Sequence, residues 1–391
     1  MNKFMETLSM ALHRERPDET HVAIISNESG DLDSICSSTV LAFHLTEYTD
    51  ISHIPVMAFN RADLPLRTEA LYSFKQQNID PYKLIFADDI ESQENKIVEV
   101  VLVDNHHINT AHLCNLEPKV KSIIDHRPWE LSQDYYSDIK VDRTLENVGS
   151  CATLIAEKIF KENLMFEDKQ ALSLLRGCIL LDTANMSPRS KKVTEKDEMI
   201  LKEIERRLNT NVTTRRELFK NLENAKEDIT GFNCAMLIKK DMKTLNWPRT
   251  GHFPIAVSVI PEQSCVSVLL RDDFEEHIKT LTDPWKGGYS LVILLGSGDP
   301  YDILLMGTSP NNLNARIVES LINIEDAEMK ETDIRTLCNE NPTLDHEVMM
   351  KYQVAYLSFQ NKEYSRKKLM PIIKETVSRE LVGRVGRIPS E

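Results

Sequence analysis

Asp31 and Asp33 stand two residues apart in the stretch Ser26-Asn27-Glu28-Ser29-Gly30-Asp31-Leu32-Asp33-Ser34. Two hard oxygen donors this close are costly to bury unless a cation neutralises them. The competing explanation is that they only cap the helix that follows. Three later segments end in matching chemistry. Val98 to Asp104 closes an apolar run on an aspartate followed by Asn105-His106-His107, Val120 to Pro128 carries Asp125-His126-Arg127 at its end, and a run through Leu172, Leu175 and Ile179 ends at Asp182. Carboxylates with one imidazole suit manganese or magnesium rather than a thiolate-type zinc site. Several carboxylates around two such cations, about 3.5–4 Å apart with one carboxylate shared, lower the pKa of a bridging water and neutralise a phosphoryl group under attack. Such a site requires no side-chain nucleophile. Cys36, Cys151 and Cys178 lie on apolar helix faces and read as core. His106 and His107 either face the metals or a phosphate or are solvated loop residues.

The elements that must position these groups follow from periodicity. His21 to Ile25 reads as a buried strand and Ile35 to Phe43 as a helix with an apolar face. His53–Asn60, Lys83–Ala87, Val98–Asp104 and Val120–Pro128 are further strand candidates, with a helix near Thr68–Gln77. Strands alternating with helices predict a doubly wound, mostly parallel α/β sheet, whose ligands sit on turns after the strands. Helices are expected over Ser150–Glu162, from Asp168 to the Asp182 region, and over Lys196–Leu208, the last with a capping arrangement of Thr194 and Asp197. The polar segment 209–226 reads as a linker, which divides the chain into 1–208 and 227–391. In the second part Phe253–Ile260, Val266–Leu270, Tyr289–Leu295 and Asp302–Met306 read as strands. Asp273–Thr282, Asn312–Ile322 and Lys367–Leu381 read as helices, giving a smaller α+β domain. Ser365-Arg366-Lys367-Lys368 puts three cations at a helix start, where the helix dipole is already positive, and this points to an anion clamp.

Composition narrows the function. A formal net charge of −14 makes a general nucleic-acid binder a poor fit. No apolar run reaches the ~18–20 residues of a membrane span. Seven cysteines without a CxxC pair indicate a reducing compartment, so cytoplasmic placement is the default. A mitochondrial presequence is the weaker alternative, opposed by Glu6, Glu15, Asp18 and Glu19.

Asn27-x3-Asp31-x-Asp33, Val103-Asp104, Asp125-His126-Arg127 and Asp182 resemble motifs one to four of the DHH phosphoesterase superfamily. Ser365-Arg366-Lys367-Lys368 resembles the phosphate-binding motif of the associated C-terminal domain shared with family II pyrophosphatases and eukaryotic exopolyphosphatases. Leu64-Pro65-Leu66-Arg67, Asp125-His126-Arg127-Pro128 and Val148-Gly149-Ser150-Cys151-Ala152-Thr153 are similar to the animal prune group. The resemblance implies an active site in the cleft between a DHH domain and a DHH-associated domain. It places Asn27, Asp31 and Asp104 around a first manganese or magnesium ion, and Asp33, Asp104, His126 and Asp182 around a second, with Asp104 bridging. It further implies that Asp125 orients His126 and that Arg127, Arg366 and Lys367 bind substrate phosphates. Two departures from the pyrophosphatase pattern matter. Asn27 replaces a histidine ligand with a weaker amide donor, and Arg127 replaces a histidine and cannot give up a proton at working pH. Leaving-group protonation then falls to His106, His107 or water. The implied activity is hydrolysis of terminal phosphoanhydride bonds in short inorganic polyphosphate. The alternatives are a cyclic-nucleotide (cAMP) phosphodiesterase, a regulatory scaffold for a nucleoside diphosphate kinase and, least compatible with the acidic charge, a RecJ-like exonuclease. Trp129, Tyr135, Tyr136 and Phe43 are the sparse aromatics available to a nucleobase.

Overall fold

Strands buried on both faces need no polar alternation, and the apolar run His21–Ile25 (β1) is buried at every position, as is His53–Met57 (β2). With Ile85–Phe86 (β3), Ile97–Val103 (β4), Val120–Asp125 (β5) and Asp142–Leu145 (β6) they form a parallel sheet in the order β3-β2-β1-β4-β5-β6. This is a computed structural model, and it describes residues 1–11, 20–108, 110–127, 140–245, 254–261, 263–282, 289–298, 301–307, 313–361 and 363–382. Pro128, Trp129, Tyr135, Tyr136, Phe253 and Asn312 lie outside the described residues. Two units divide the chain, Met1–Asp228 and Ile229–Glu391.

In the first unit the helices are α1 (Asn2–Ala11), α2 (Leu32–Tyr48), α3 (Thr68–Gln76), α4 (Ala87–Ile90), α5 (Cys151–Glu162), α6 (Lys169–Asp182), α7 (Glu195–Leu208) and α8 (Val212–Glu227). Local caps fix most of their starts. Asp31 accepts the Ser34 N–H, Asp168 accepts the Ala171 N–H, and Thr194 with Asp197 forms the expected capping box. The sheet order reverses between β1 and β4, whose crossovers run in opposite directions, so their C-terminal ends open the crevice where ligands bind in doubly wound sheets. Asn27 to Asp33 follow β1, and Asp104 follows β4.

The segment expected as a linker is helical. Asn211 caps α8, Leu222 is fully buried, and Arg215 reaches Glu205 of α7, which also holds Arg176 of α6 through Nε at 3.1 Å. Leu222, the partly buried Leu218 and one ion cluster fasten a helix that is otherwise polar, which is why its composition resembled a linker. The first unit therefore extends to Asp228 rather than 208.

The second unit contains α9 (Cys234–Lys240), β7 (Met242–Leu245), β8 (Ile255–Ile260), α10 (Cys265–Leu269), α11 (Phe274–Leu281), β9 (Leu291–Gly296), β10 (Tyr301–Met306), α12 (Leu313–Ile322), β11 (Lys330–Thr332), α13 (Ile334–Glu340), α14 (His346–Lys351), β12 (Ala355–Phe359) and α15 (Arg366–Val382). Its sheet runs β11-β12-β10-β9-β8-β7, antiparallel except for β8 with β9. Alternate residues of β9 feed two cores. Leu291, Ile293 and Leu295 face one, with Leu369, Ile373 and Val377 of α15, while Val292 and Leu294 face the other. Val266–Leu270, expected as a strand, belongs mostly to α10. Ser264 caps it by accepting the Val266 N–H, and a five-residue apolar run alone does not separate helix from strand. The polar edge strand β6 and the short β11 carry no apolar signal and escaped the sequence reading. Among the described residues no helix is long and apolar enough to cross a membrane.

Candidate metal centre

Asp31, Asp33, Asp104, His126, Arg127 and Asp182 line one cavity of ≈ 560 Å³ in the first unit. Residues far apart in the sequence thus meet around one cavity. Ligand atoms of Asp33, Asp104 and His126 all lie within 4.8 Å of one another.

Each carboxylate is held by a different device. Asp33, in the first turn of α2, accepts the Cys151 N–H at 2.6 Å, the Ala152 N–H at 2.9 Å and the Ser37 hydroxyl at 2.9 Å, so the amino end of α5 fixes it. Asp104 ends β4 in the left-handed region, with φ 55°, a strained backbone for a non-glycine residue. Its N–H donates to the Ile124 carbonyl at 2.9 Å, and Asn27 Nδ2 donates to its side chain at 2.7 Å. Asp182 closes α6, and its Oδ2 is shielded from solvent with no hydrogen-bond partner among the described residues. Gly30 allows the turn between β1 and α2. It has φ 56°, and a Cβ there would stand 2.3 Å from the Phe59 ring.

Crowding of buried like charge defines the electrostatics. Burial, with His126 opposing and the charges of Asp33 and Asp31 adding, pushes Asp104 up to about 7. Burial and then Asp33 raise Asp31, and burial, Asp33 and Asp31 raise Asp182 well above the carboxylate range. Burial disfavours the His126 cation, but the hydrogen bond with Asp104 and the Asp33 charge outweigh it and push His126 up to about 9. His126 Nδ1 pairs with the Val148 carbonyl at 2.9 Å, which turns Nε2 toward Asp104 at 3.3 Å. This crowding of buried carboxylates favours positive charge at the site. The donor set fits a hard divalent ion, which would take the carboxylates of Asp33 and Asp104 and Nε2 of His126 and so relieve the crowding.

Two expected roles change. Asp125 does not orient His126, because the Val148 carbonyl already occupies Nδ1. Asp125 instead faces His106 Nε2 at 3.0 Å and accepts the Arg127 N–H at 3.1 Å, contacts that outweigh burial and hold it below the usual carboxylate range. Asn27 presents its amide nitrogen, not its oxygen, to the site. The oxygen accepts the Ser29 hydroxyl at 2.9 Å and the Gly30 N–H at 2.8 Å, so the turn that Gly30 permits also fixes the amide. Arg127 spends Nη1 on Asp104 Oδ1 at 2.5 Å and the Asp104 carbonyl at 3.0 Å, while its side chain stays 47% exposed. His107 is half-buried, and its N–H donates to Asn105 Oδ1 at 3.4 Å.

Within the second unit, Arg366 begins α15 and donates to the Asp241 carbonyl at 2.7 Å and to its carboxylate at 3.0 Å. Lys368 pairs with Glu363 at 2.8 Å, and Lys367 is exposed. The three-cation helix start is thus already partly neutralised by neighbouring acidic groups.

Sequence reasoning missed the hub beneath the site. Asp197, read only as a cap, is fully buried and accepts the Gly149 N–H at 2.9 Å, the Thr153 hydroxyl at 2.6 Å and the Thr194 N–H at 2.8 Å. It therefore anchors the loop whose Val148 carbonyl aims His126. A Cβ on Gly149 would meet Asp197 Oδ2 at 3.0 Å and Thr183 Cγ2 at 2.6 Å, and this close approach is the reason for glycine there. The spacing Thr194-x2-Asp197 was the only signal, and it is satisfied by capping alone.

The DHH family, N-terminal domain model matches residues 21–181, and the DHHA2 domain model matches residues 220–376. The chain is similar to exopolyphosphatase PRUNE1 of Mus musculus, 36% identical over 251 residues that cover 63% of this chain and 53% of the relative. Exopolyphosphatase PRUNE1 of Homo sapiens is 34% identical over 250 residues, with the same coverage of 63% and 53%. The chain spans about half the length of these curated relatives. Among solved structures, an exopolyphosphatase-related protein from Bacteroides fragilis aligns over 98% of this chain and 97% of its own, at 11% identity and a TM-score of 0.42.

Proposed function

This chain belongs to the DHH family, with a DHHA2 domain following its DHH domain, and from that premise we propose that it is a divalent-metal-dependent phosphohydrolase that removes terminal phosphate from short inorganic polyphosphate. The observation that carries the reading is the donor set of Asp33, Asp104 and His126 within 4.8 Å, crowded by Asp31 and Asp182. Similarity to exopolyphosphatases supports the choice of phosphoanhydride over other phosphoesters. Manganese or magnesium, when bound, supplies a polarised water and neutralises phosphoryl oxygens.

The residues divide the remaining work. His126 is held in one tautomer by the Val148 carbonyl, so Nε2 is the ligand atom. Asp104, strained and desolvated, would bind a cation as the carboxylate. Arg127 neutralises Asp104 in the metal-free state and, once a cation does so instead, turns its half-exposed guanidinium to phosphate oxygens, for which its planar fork is suited. Asp182, which lines the same cavity, would add a further carboxylate to a cation held by Asp33, Asp104 and His126. Asp31 would be the candidate ligand for any second cation, and Asn27 would join it only by rotating its oxygen away from Gly30 and Ser29. Within the second unit, Arg366 and Lys367 are the candidate phosphate-binding residues. His106, already paired with Asp125, is a candidate proton donor to the leaving group, with His107 as its neighbour.

The test is phosphate release from tripolyphosphate and pyrophosphate, with cyclic AMP hydrolysis alongside, in manganese and in magnesium, for wild type and Asp104→Asn. Tripolyphosphate cleavage that requires metal and is lost in the variant is the expected result. Turnover of cyclic AMP alone would replace this reading with a phosphodiesterase. Bound metal with no turnover of any of the three would favour a scaffold, for which a nucleoside diphosphate kinase is the candidate partner.

A further inference from the structure

The loop after Asp182 carries the most strained backbone in the first unit. Ala184, Asn185 and Met186 all lie in the left-handed region, at φ 48°, 57° and 60°, and Lys191 returns to it at 53°. The left-handed region strains L-residues, so consecutive ones persist only where neighbours hold them. Here the Asn185 N–H reaches the Leu180 carbonyl at 2.7 Å, the Ser187 N–H reaches the Thr183 carbonyl at 3.0 Å, and the Met186 N–H reaches the Thr183 hydroxyl at 3.1 Å. A single 3-10 turn, Pro188–Ser190, is capped by Ser187, and the far end of the loop is fastened where Thr194 meets buried Asp197. This path carries the chain away from Asp182 and back to the rim of the same cavity, where Lys191 and Lys192 join its lining.

Both lysines are exposed, and among the described residues neither has an ion-pair partner. The lining otherwise holds four aspartates, His126 and Arg127, and Arg127 is engaged with Asp104 and Asp125. Lys191 and Lys192 are therefore the cations of this lining that are not already engaged with its carboxylates, among the described residues.

We propose that Lys191 and Lys192 form a phosphate-binding pair at the mouth of the metal centre, holding the part of a condensed phosphate that extends away from Asp104. This rests on the phosphohydrolase reading above and adds its substrate selectivity, namely a preference for tripolyphosphate and longer chains over pyrophosphate. Lysine suits the task because a compact, hydrated ammonium on a flexible stem attracts phosphate without demanding one oxygen geometry. The pinned loop supplies the position that the flexible side chains lack.

Calorimetric titration with a non-hydrolysable imido analogue of tripolyphosphate tests the pair without turnover. Wild type, the double variant K191M/K192M and the control K202M, on the exposed face of α7, are compared in the presence of magnesium. The double variant is expected to bind about tenfold more weakly and with a shallower salt dependence, and K202M to match wild type. In parallel, KM for tripolyphosphate should rise about tenfold with kcat within about twofold, and KM for pyrophosphate should move much less. Analogue binding unchanged in the double variant overturns the proposal even if the enzyme hydrolyses polyphosphate. Wild-type binding that depends on the lysines, without hydrolysis of any phosphate substrate, supports the anion site and sinks the phosphohydrolase reading instead.

Discussion

Asp104 in the first unit and Asp302 in the second are both aspartates of an apolar strand region, and both are almost completely buried, at 1% and 0% exposed. Their surroundings are opposite. Asp302 accepts the Cys265 N–H at 2.9 Å and the Ser264 hydroxyl, so neutral donors at the start of α10 satisfy it, and burial together with its charge raises the Tyr356 phenol. Asp104 sits among Asp31 and Asp33 and is tied to protonated His126 and to Arg127. Burial therefore does not distinguish a working carboxylate from a structural one. The distinction lies in what compensates the charge: dipoles fixed by the fold for Asp302, and exchangeable cations for Asp104.

The comparison breaks most sharply under paired substitution. Asp104→Asn should cut manganese affinity and phosphate release by about a thousandfold or more while leaving Tm unchanged or higher, because it removes one of the crowded charges. Asp302→Ala should do the reverse, costing about 3 kcal/mol of stability by stranding buried donors while the folded protein keeps its manganese affinity. Thermal melts and calorimetric manganese titrations of both variants decide it. A variant of Asp104 that melts well below wild type would show its carboxylate to be structural after all.

A smaller effect is expected one layer out. Asp197→Asn keeps the side-chain volume but weakens the hold on Gly149 and thus on the Val148 carbonyl that aims His126. Manganese affinity should fall about 10- to 100-fold. Loss of stability with affinity intact would mean that Asp197 serves only as the cap of α7.

The mildest test is pH. In metal-free protein, Asp104 titrates near about 7 in the fold against an ordinary 3.8, so between these values the folded chain keeps a proton that the unfolded chain has lost. His126, moved from 6.5 to about 9, does the same at higher pH, and its contribution is complete below 6.5 and lost as pH rises through about 9. Both signs agree. Stability in chelator should decline as pH rises from ~4 to ~9, and manganese should flatten the decline by replacing the protons. Urea melts across that range, with and without manganese, measure it, and a flat profile in chelator would contradict the crowded-charge account.

The sequence by itself determined what depends on near neighbours. Runs such as His21–Ile25 and Leu291–Leu295 announce buried strands, Asp168 and Thr194-x2-Asp197 announce helix starts, and Asp31, Asp33, Asp104, His126 and Asp182 stand out as candidate metal ligands because hard donors rarely end so many apolar elements. Only the tertiary structure decided which donor meets which acceptor. That Val148 rather than Asp125 turns His126, that Asn27 gives its nitrogen rather than its oxygen to Asp104, and that Lys191 and Lys192 return to the mouth of the cavity all depend on contacts across loops. Such contacts are set by the path of the chain and not by spacing. The helix over 212–227 belongs to the same class. Its polar composition reads as a linker, and Leu222 and the Glu205 ion cluster that hold it in place exist only once α6 and α7 have packed.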